Sequence, residues 1–371
     1  MPIRLFAFLL TLCALTGCST LGYYGQAIRG HLTLMAKAQP IDQIIENPTT
    51  PASLRHQLKT AQAIRAFASQ QLQLPDNASY QSYADLGRPY LTWNVVSAAE
   101  FTLRADTECF WVVGCLSYRG FFSPADAQEH AAKLSSEGKD VFVYGVPAYS
   151  TLGWFPDPLV NSFLAYSELD LARLIFHELS HQLIYIKDDT AFNEAFATAV
   201  ELEGAKRWLD QQKHPAQHDA SPEQQELRKT AFRQLLDEMR QALAALYQAP
   251  LSQADMRLHK HHIQAEYASR YQVFKQVWRG YRGYDHWFEP HPGNAHLASQ
   301  ATYYQWVPAF RQLLKESDGQ WAVFYDKTRR IGKQPATERA KMLEALSARA
   351  LAPATQVLAP STVNQVEENT Q

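Results

Sequence analysis

The stretch His177-Glu178-Leu179-Ser180-His181 sets two imidazoles four residues apart with a carboxylate between them. On a helix, residues four apart share a face, so His177 and His181 can present ring nitrogens to one divalent ion. Glu178 stands about 100° round the helix from His177, near enough to reach a water on that ion without being a ligand. Zn²⁺ suits two imidazoles and a carboxylate, lowers the pKa of water towards about 7, and would leave Glu178 to take the proton as the water attacks a carbonyl. The alternative is a pair of hydrogen-bonded core histidines beside an exposed glutamate. A second stretch, Asp189 to Thr198 (DTAFNEAFAT), argues against that alternative. Asp189 or Thr190 caps a new helix, and a connection of a few residues makes the two helices neighbours. Glu194, in the early turns, then supplies a third ligand and leaves one position open. Glu201 is a second candidate for that ligand, or a carboxylate beside it. Thr198 would orient a metal-bound imidazole, or else lie on the helix surface. One zinc ion per chain is expected.

These groups need a helical scaffold, and the surrounding sequence predicts one. Ser167-Glu168-Leu169-Asp170 reads as a capped helix start, and Leu171, Leu174, Ile175, Phe176, Leu179, Leu183 and Ile186 surround the HELSH helix with apolar side chains. Helices are expected over 168–186, 190–212, 222–247, 252–279, 295–316 and 336–350, after a mainly helical start from Leu21 to about Leu74. Between Tyr90 and Phe122 the runs TWNVVSA and CFWVVGC favour strands. Ser123-Pro124 opens a helix that stops near Gly138, and Asp140 to Tyr144 alternates as a strand. The predicted fold is α+β, a small mixed sheet followed by a largely helical body. Its parts are a strand-containing segment 88–155, zinc-site helices 168–212 and a helical segment 222–350, together one domain over 18–352. The tail 353–371 has no period and is expected to be disordered.

The chain has 371 residues, 46% hydrophobic and 12% aromatic, with a formal charge of −2. That near-neutral balance carries no electrostatic footprint for nucleic acid, so none is expected as a partner. Arg279 and Arg282 among Trp278, Tyr281 and Tyr284 read as surface arginines beside aromatic packing. His259, His261 and His262 read as a solvated basic face. Oligomeric state has no signature.

Residues 1–17 read as an export signal, with Arg4 ahead of an apolar run, Leu5 to Leu12, too short to span a bilayer. Leu15-Thr16-Gly17-Cys18 resembles the lipobox of bacterial lipoproteins. That resemblance implies cleavage after Gly17, lipidation of Cys18, and a chain anchored to the cell envelope facing the periplasm, with Ser19 favouring the outer membrane. Cys109 and Cys115 are then the remaining thiols. In an oxidising compartment they would close a small disulfide loop, contributing about 2 kcal/mol, or stay as two buried free cysteines.

HELSH followed by NEAFA resembles the gluzincin metallopeptidases, and the resemblance implies that the helical body is a zincin-like metallopeptidase, with His177, His181 and Glu194 as zinc ligands and Glu178 as catalytic base. Metzincins fit less well, because this chain has Ile184 and Lys187 where they need Gly and His. The wider layout resembles a bacterial aminopeptidase family with many lipoprotein members. The similarity runs through Tyr118–Phe122, Gly145–Phe155, both zinc-site stretches and Asn294–Phe310. It implies hydrolysis of a peptide or protein substrate, most simply from the amino end. Envelope endopeptidase activity is the alternative, as is a scaffolding lipoprotein with a structural zinc. Tyr303, ahead of Tyr304 and His296, is the expected donor to the oxyanion. Val141–Phe155 is a candidate peptide-binding sheet edge, and Glu201 and Asp157 are candidates for holding a substrate amine.

Overall fold

The computed structural model describes residues 22–110, 114–148, 150–212, 222–288 and 292–351. The expected signal 1–17, Cys18 and the tail 353–371 lie outside the described residues. The chain divides into two compact units, Met1–Gln305 and Trp306–Gln371.

The first unit opens with α1 (22–37), β1 (Gln39–Pro40), α2 (Ile41–Glu46) and α3 (Ala52–Gln70). Next come β2 (Ser82–Ala84), β3 (Thr92–Ala98), β4 (Glu108–Phe110), β5 (Gly114–Leu116), β6 (Arg119–Phe121), α4 (Pro124–Ser136), β7 (Asp140–Val146) and β8 (Leu159–Val160). The rest is helical: α5 (Asn161–Leu164), α6 (Glu168–Leu183), α7 (Thr190–Gln212), α8 (Pro222–Tyr247), α9 (Gln253–Val277), α10 (Asp285–Phe288) and α11 (Asn294–Tyr304). Helices combined with sheets of two or three strands make this the expected α+β fold.

Strand β3 is the centre of the antiparallel sheet β6-β3-β7, in which Val95 lies opposite both Arg119 and Val143. Its side chains alternate across the sheet. Val95 packs with Phe121, Ala127 and Ala131 on the α4 side, and Val96 and Ala98 pack with Ala295 on the α11 side. Helix α4 starts where Ser123 Oγ accepts the N–H of Asp126, with Pro124 at the first position. A small mixed sheet, β1-β2-β8, joins β1 and β2 antiparallel and β2 and β8 parallel. In the β4–β5 hairpin Cys109 lies opposite Cys115, and the two form a disulfide.

From the central sheet the layers continue through α11 to α7, α6 and α3. Phe67 of α3 meets Phe176 of α6 and Trp208 of α7, with ring centroids 5.8 and 5.2 Å away. Gly204 makes the close approach of α7 possible: a Cβ there would stand 2.7 Å from Leu72 Cδ1 and 2.9 Å from Phe176 Cδ2. The aromatics around Trp278 also pack inward. Trp278 and Tyr284 lie against a cluster built on Phe232, Tyr271, Trp287 and Phe288.

The second unit contains α12 (Val307–Lys315), α13 (Trp321–Gly332) and α14 (Ala336–Leu351). The single helix expected over 295–316 is broken at Gln305 and Trp306. Pro308 falls in the first turn of α12, where it lacks an N–H and its ring opposes the carbonyl four residues back. The sequence predicts no helix over 321–332, whose aromatic and β-branched residues have weak helix propensity. Tertiary burial overrides that: Trp321, Phe324, Tyr325, Thr328 and Ile331 share the buried face of α13.

Candidate metal centre

Helix α6 carries HELSH and starts where Ser167 Oγ accepts the N–H of Asp170 at 3.2 Å. Glu168 and Asp170 complement the positive end of the helix. Leu171, Ile175, Phe176 and Leu179 are buried, which fixes the rotation of the helix and turns His177 and His181 towards α7. The helix ends at Leu183 rather than at 186. The side chain of Asn193 captures both polar groups of Ile186, accepting its N–H on Oδ1 at 2.7 Å and donating Nδ2–H to its carbonyl at 2.8 Å. Asp189 Oδ1 then accepts the N–H of Phe192 at 3.0 Å and starts α7. This clamp sets Glu194, the next residue, opposite the two histidines.

The three groups converge. His177 Nε2 lies 3.1 Å from His181 Nε2 and 3.2 Å from Glu194 Oε2, and His181 Nε2 lies 3.8 Å from Glu194 Oε1. Ligands about 2.0–2.1 Å from a tetrahedral zinc stand roughly 3.3–3.4 Å apart; the two contacts of His177 Nε2 match that spacing, and one ligand atom from each of the three residues lies within 4.8 Å of the others, so the cluster could hold such an ion. Its electrostatics fit as well. Burial pushes His181 down to about 4, against the raising effect of Glu194, which keeps its imidazole neutral with a lone pair to give. Burial acts to raise Glu194, but the two histidines hold its carboxyl below the usual range, so it is ionised. Burial also acts to depress His177, yet its bonds to Glu194 and Glu201 drive it well above the ordinary value. The carboxylates therefore demand a positive charge at this point, which a divalent ion supplies as well as a proton does.

Glu201 is not part of the triangle. Its Oε2 lies 2.9 Å from Nδ1 of His177, on the opposite edge of the ring from Glu194. A carboxylate there fixes the ring's orientation and tautomer and makes Nε2 a better donor to a metal. That is the role the sequence reading gave Thr198; Thr198 is buried, and no bond from it to either imidazole exists among the described residues.

Glu178 stands beside the triangle and makes no hydrogen bond among the described residues. Burial raises it to about 7, partly countered by His177, with Glu194, Asp157 and Glu201 adding to the rise. Together with His177 and Glu201 it lines a cleft of about 500 Å³ whose other walls are Tyr166, Ser167, Asp170, Arg173, Leu174 and Lys229. Asp157 is buried and accepts the N–H of Thr151 on Oδ2 at 2.9 Å, which pins the turn after β7. Strand β7 is an edge strand of its sheet.

Tyr303 falls on the last turn of α11, and its side chain lies outside the described residues. Another phenol was overlooked. Burial, with the charges of Glu194 and Glu178, raises Tyr118 well above 10 and keeps its hydroxyl protonated as a donor near these groups. Arg173 was also missed, although its spacing four residues before His177 puts it on the histidine face of α6.

Fold and site together gather three potential metal ligands from two neighbouring helices, with His177 also lining a cleft. The chain belongs to the family described as "Putative aminopeptidase", whose family model matches residues 22–343. No curated protein and no solved structure matches it. Family membership assigns peptide hydrolysis as the class of activity.

Proposed function

We propose that this chain is a zinc-dependent aminopeptidase of the bacterial cell envelope. The observation that carries the reading is the convergence of His177, His181 and Glu194, with His177 Nε2 3.1 Å from His181 Nε2 and 3.2 Å from Glu194 Oε2, beside the Glu178 carboxylate, which makes no hydrogen bond among the described residues. His177, His181 and Glu194 would hold the ion. When bound, zinc supplies positive charge that polarises a carbonyl and makes water more acidic. Glu178 takes the proton of the attacking water and returns it to the leaving amine, and its environment suits proton transfer near neutral pH. The developing oxyanion needs a hydrogen-bond donor, for which Tyr118 is the described phenol and Tyr303 the one the sequence favours. A purely structural zinc is normally closed by four protein ligands; three are gathered among the described residues, which supports catalysis over scaffolding.

Glu178→Gln tests the reaction. Turnover of aminoacyl anilides should fall at least about 10³-fold while metal content is retained; wild-type turnover in that variant would contradict the mechanism.

Lipidation of Cys18 is the second part of the proposal, and it rests on the LTGC sequence at residues 15–18. Among the described residues no helix is long and apolar enough to cross a membrane. The acyl chains would hold the protein to the membrane with the cleft facing the periplasm. Cys18→Ala should move the protein from the membrane to the soluble fraction of lysed cells, and unchanged membrane association would refute the anchor.

A further inference from the structure

Among the described residues, the cleft lined by His177 and Glu178 holds a cation with no ion-pair partner. Nε and Nη1 of Arg173 are shielded from solvent and meet no acceptor among the described residues. The acids that share the cleft are committed or point elsewhere. Asp170 Oδ2 accepts the Ser167 hydroxyl at 2.7 Å, while its own N–H donates to Ser167 Oγ at the helix cap. Glu201 is held by His177 Nδ1 at 2.9 Å. Glu178 lies five residues further along α6, about 140° round the helix from Arg173. Lys229, from α8, adds a second positive group to the same wall.

Guanidinium nitrogens shielded from solvent and left without an acceptor are unfavourable unless a ligand provides one. The planar fork of Arg matches a carboxylate, to which it can donate two parallel hydrogen bonds. Resting on the peptidase reading above, the geometry points to Arg173 as the residue that binds a carboxylate of the substrate. Arg173 precedes His177 by one helical turn, so the anchored group lies within roughly 10 Å of the triangle. Extended peptide spans about 3.3–3.6 Å per residue, so one or two residues beyond the scissile bond cover that distance. A cleft of about 500 Å³ is of the size that encloses a small ligand. The substrate class is therefore short peptides, di- and tripeptides, that carry a carboxylate near the bond to be cut.

The test is calorimetric binding to the full-length Glu178→Gln protein in detergent, which separates binding from turnover. The ligands are Ala-Ala-Phe, its C-terminal amide, and Ala-Ala-Glu amide. The free acid should bind at least 10-fold more tightly than Ala-Ala-Phe amide. Adding Arg173→Met should abolish that difference, with melting temperature and metal content unchanged, and Arg173→Lys should restore part of it. Ala-Ala-Glu amide identifies the source: binding like the acid assigns the carboxylate to a side chain, and binding like the plain amide assigns it to the C-terminus. Equal binding of acid and amide when Arg173 is intact, no binding of any of the three, or a preference that survives Arg173→Met would each overturn the assignment. Wild-type turnover of the same peptides is measured in parallel. Absence of turnover with the acid preference intact would fail the peptidase reading alone, whereas hydrolysis of acid and amide at equal rates with equal binding would fail only the role of Arg173.

Discussion

His177 is held on both edges of its ring: Glu194 Oε2 lies 3.2 Å from Nε2, and Glu201 Oε2 lies 2.9 Å from Nδ1. The two glutamates sit seven residues apart on α7, two helical turns, so a single straight helix supplies both. One carboxylate faces the site of the ion and the other stands behind the ligand.

The two glutamates should therefore respond differently to mutation. Glu201→Gln should lower zinc affinity about 10–100-fold, because Nδ1 loses its ionised partner while all three ligands remain. Glu194→Gln should lower it much further. Competition against a fluorescent chelator measures both, and equal losses in the two variants would put Glu201 in the coordination sphere.

Asp157 predicts a dependence of stability on pH. Burial raises its pKa to about 6, only partly offset by the hydrogen bonds from Thr151. An unfolded Asp titrates near 3.9, so between about pH 4 and 6 the folded state holds more protons than the unfolded one. The stability this group gives is complete below about pH 4 and is lost as pH rises through about 6. Asp157→Asn keeps an acceptor for the Thr151 N–H and removes that loss. The variant should match wild type near pH 4 and exceed it at pH 7.5 by about 2 kcal/mol, seen as a higher Tm. A Tm difference independent of pH would contradict the shift.

Much of the centre was legible from the sequence, because helical spacing places His177, Glu178 and His181 with no knowledge of the rest of the fold. Glu194 was legible too, since a short connection forces α6 and α7 together. The end of α6 was not. Apolar periodicity runs on to Ile186, and what stops the helix at Leu183 is the side chain of Asn193, seven residues beyond Ile186. The break at Gln305 is the opposite case: the expected helix over 295–316 runs through Pro308, although a proline in the sequence is enough to argue for a break. Glu201 was visible as a carboxylate near the site, but its role depends on which edge of the His177 ring it meets. Arg173 needed the structure most, because an arginine near a helix surface is ordinary until its nitrogens are found enclosed without an acceptor.

His177, His181 and Glu194 should together bind one zinc ion. Metal content by mass spectrometry of the full-length protein, purified in detergent, offered zinc and then dialysed, tests it most directly when run beside His177→Ala. About one zinc per chain is expected in the wild type and less than about a tenth of that in the variant. A metal-free wild-type protein, or equal zinc in both preparations, would contradict it and return HELSH to the role of helix packing.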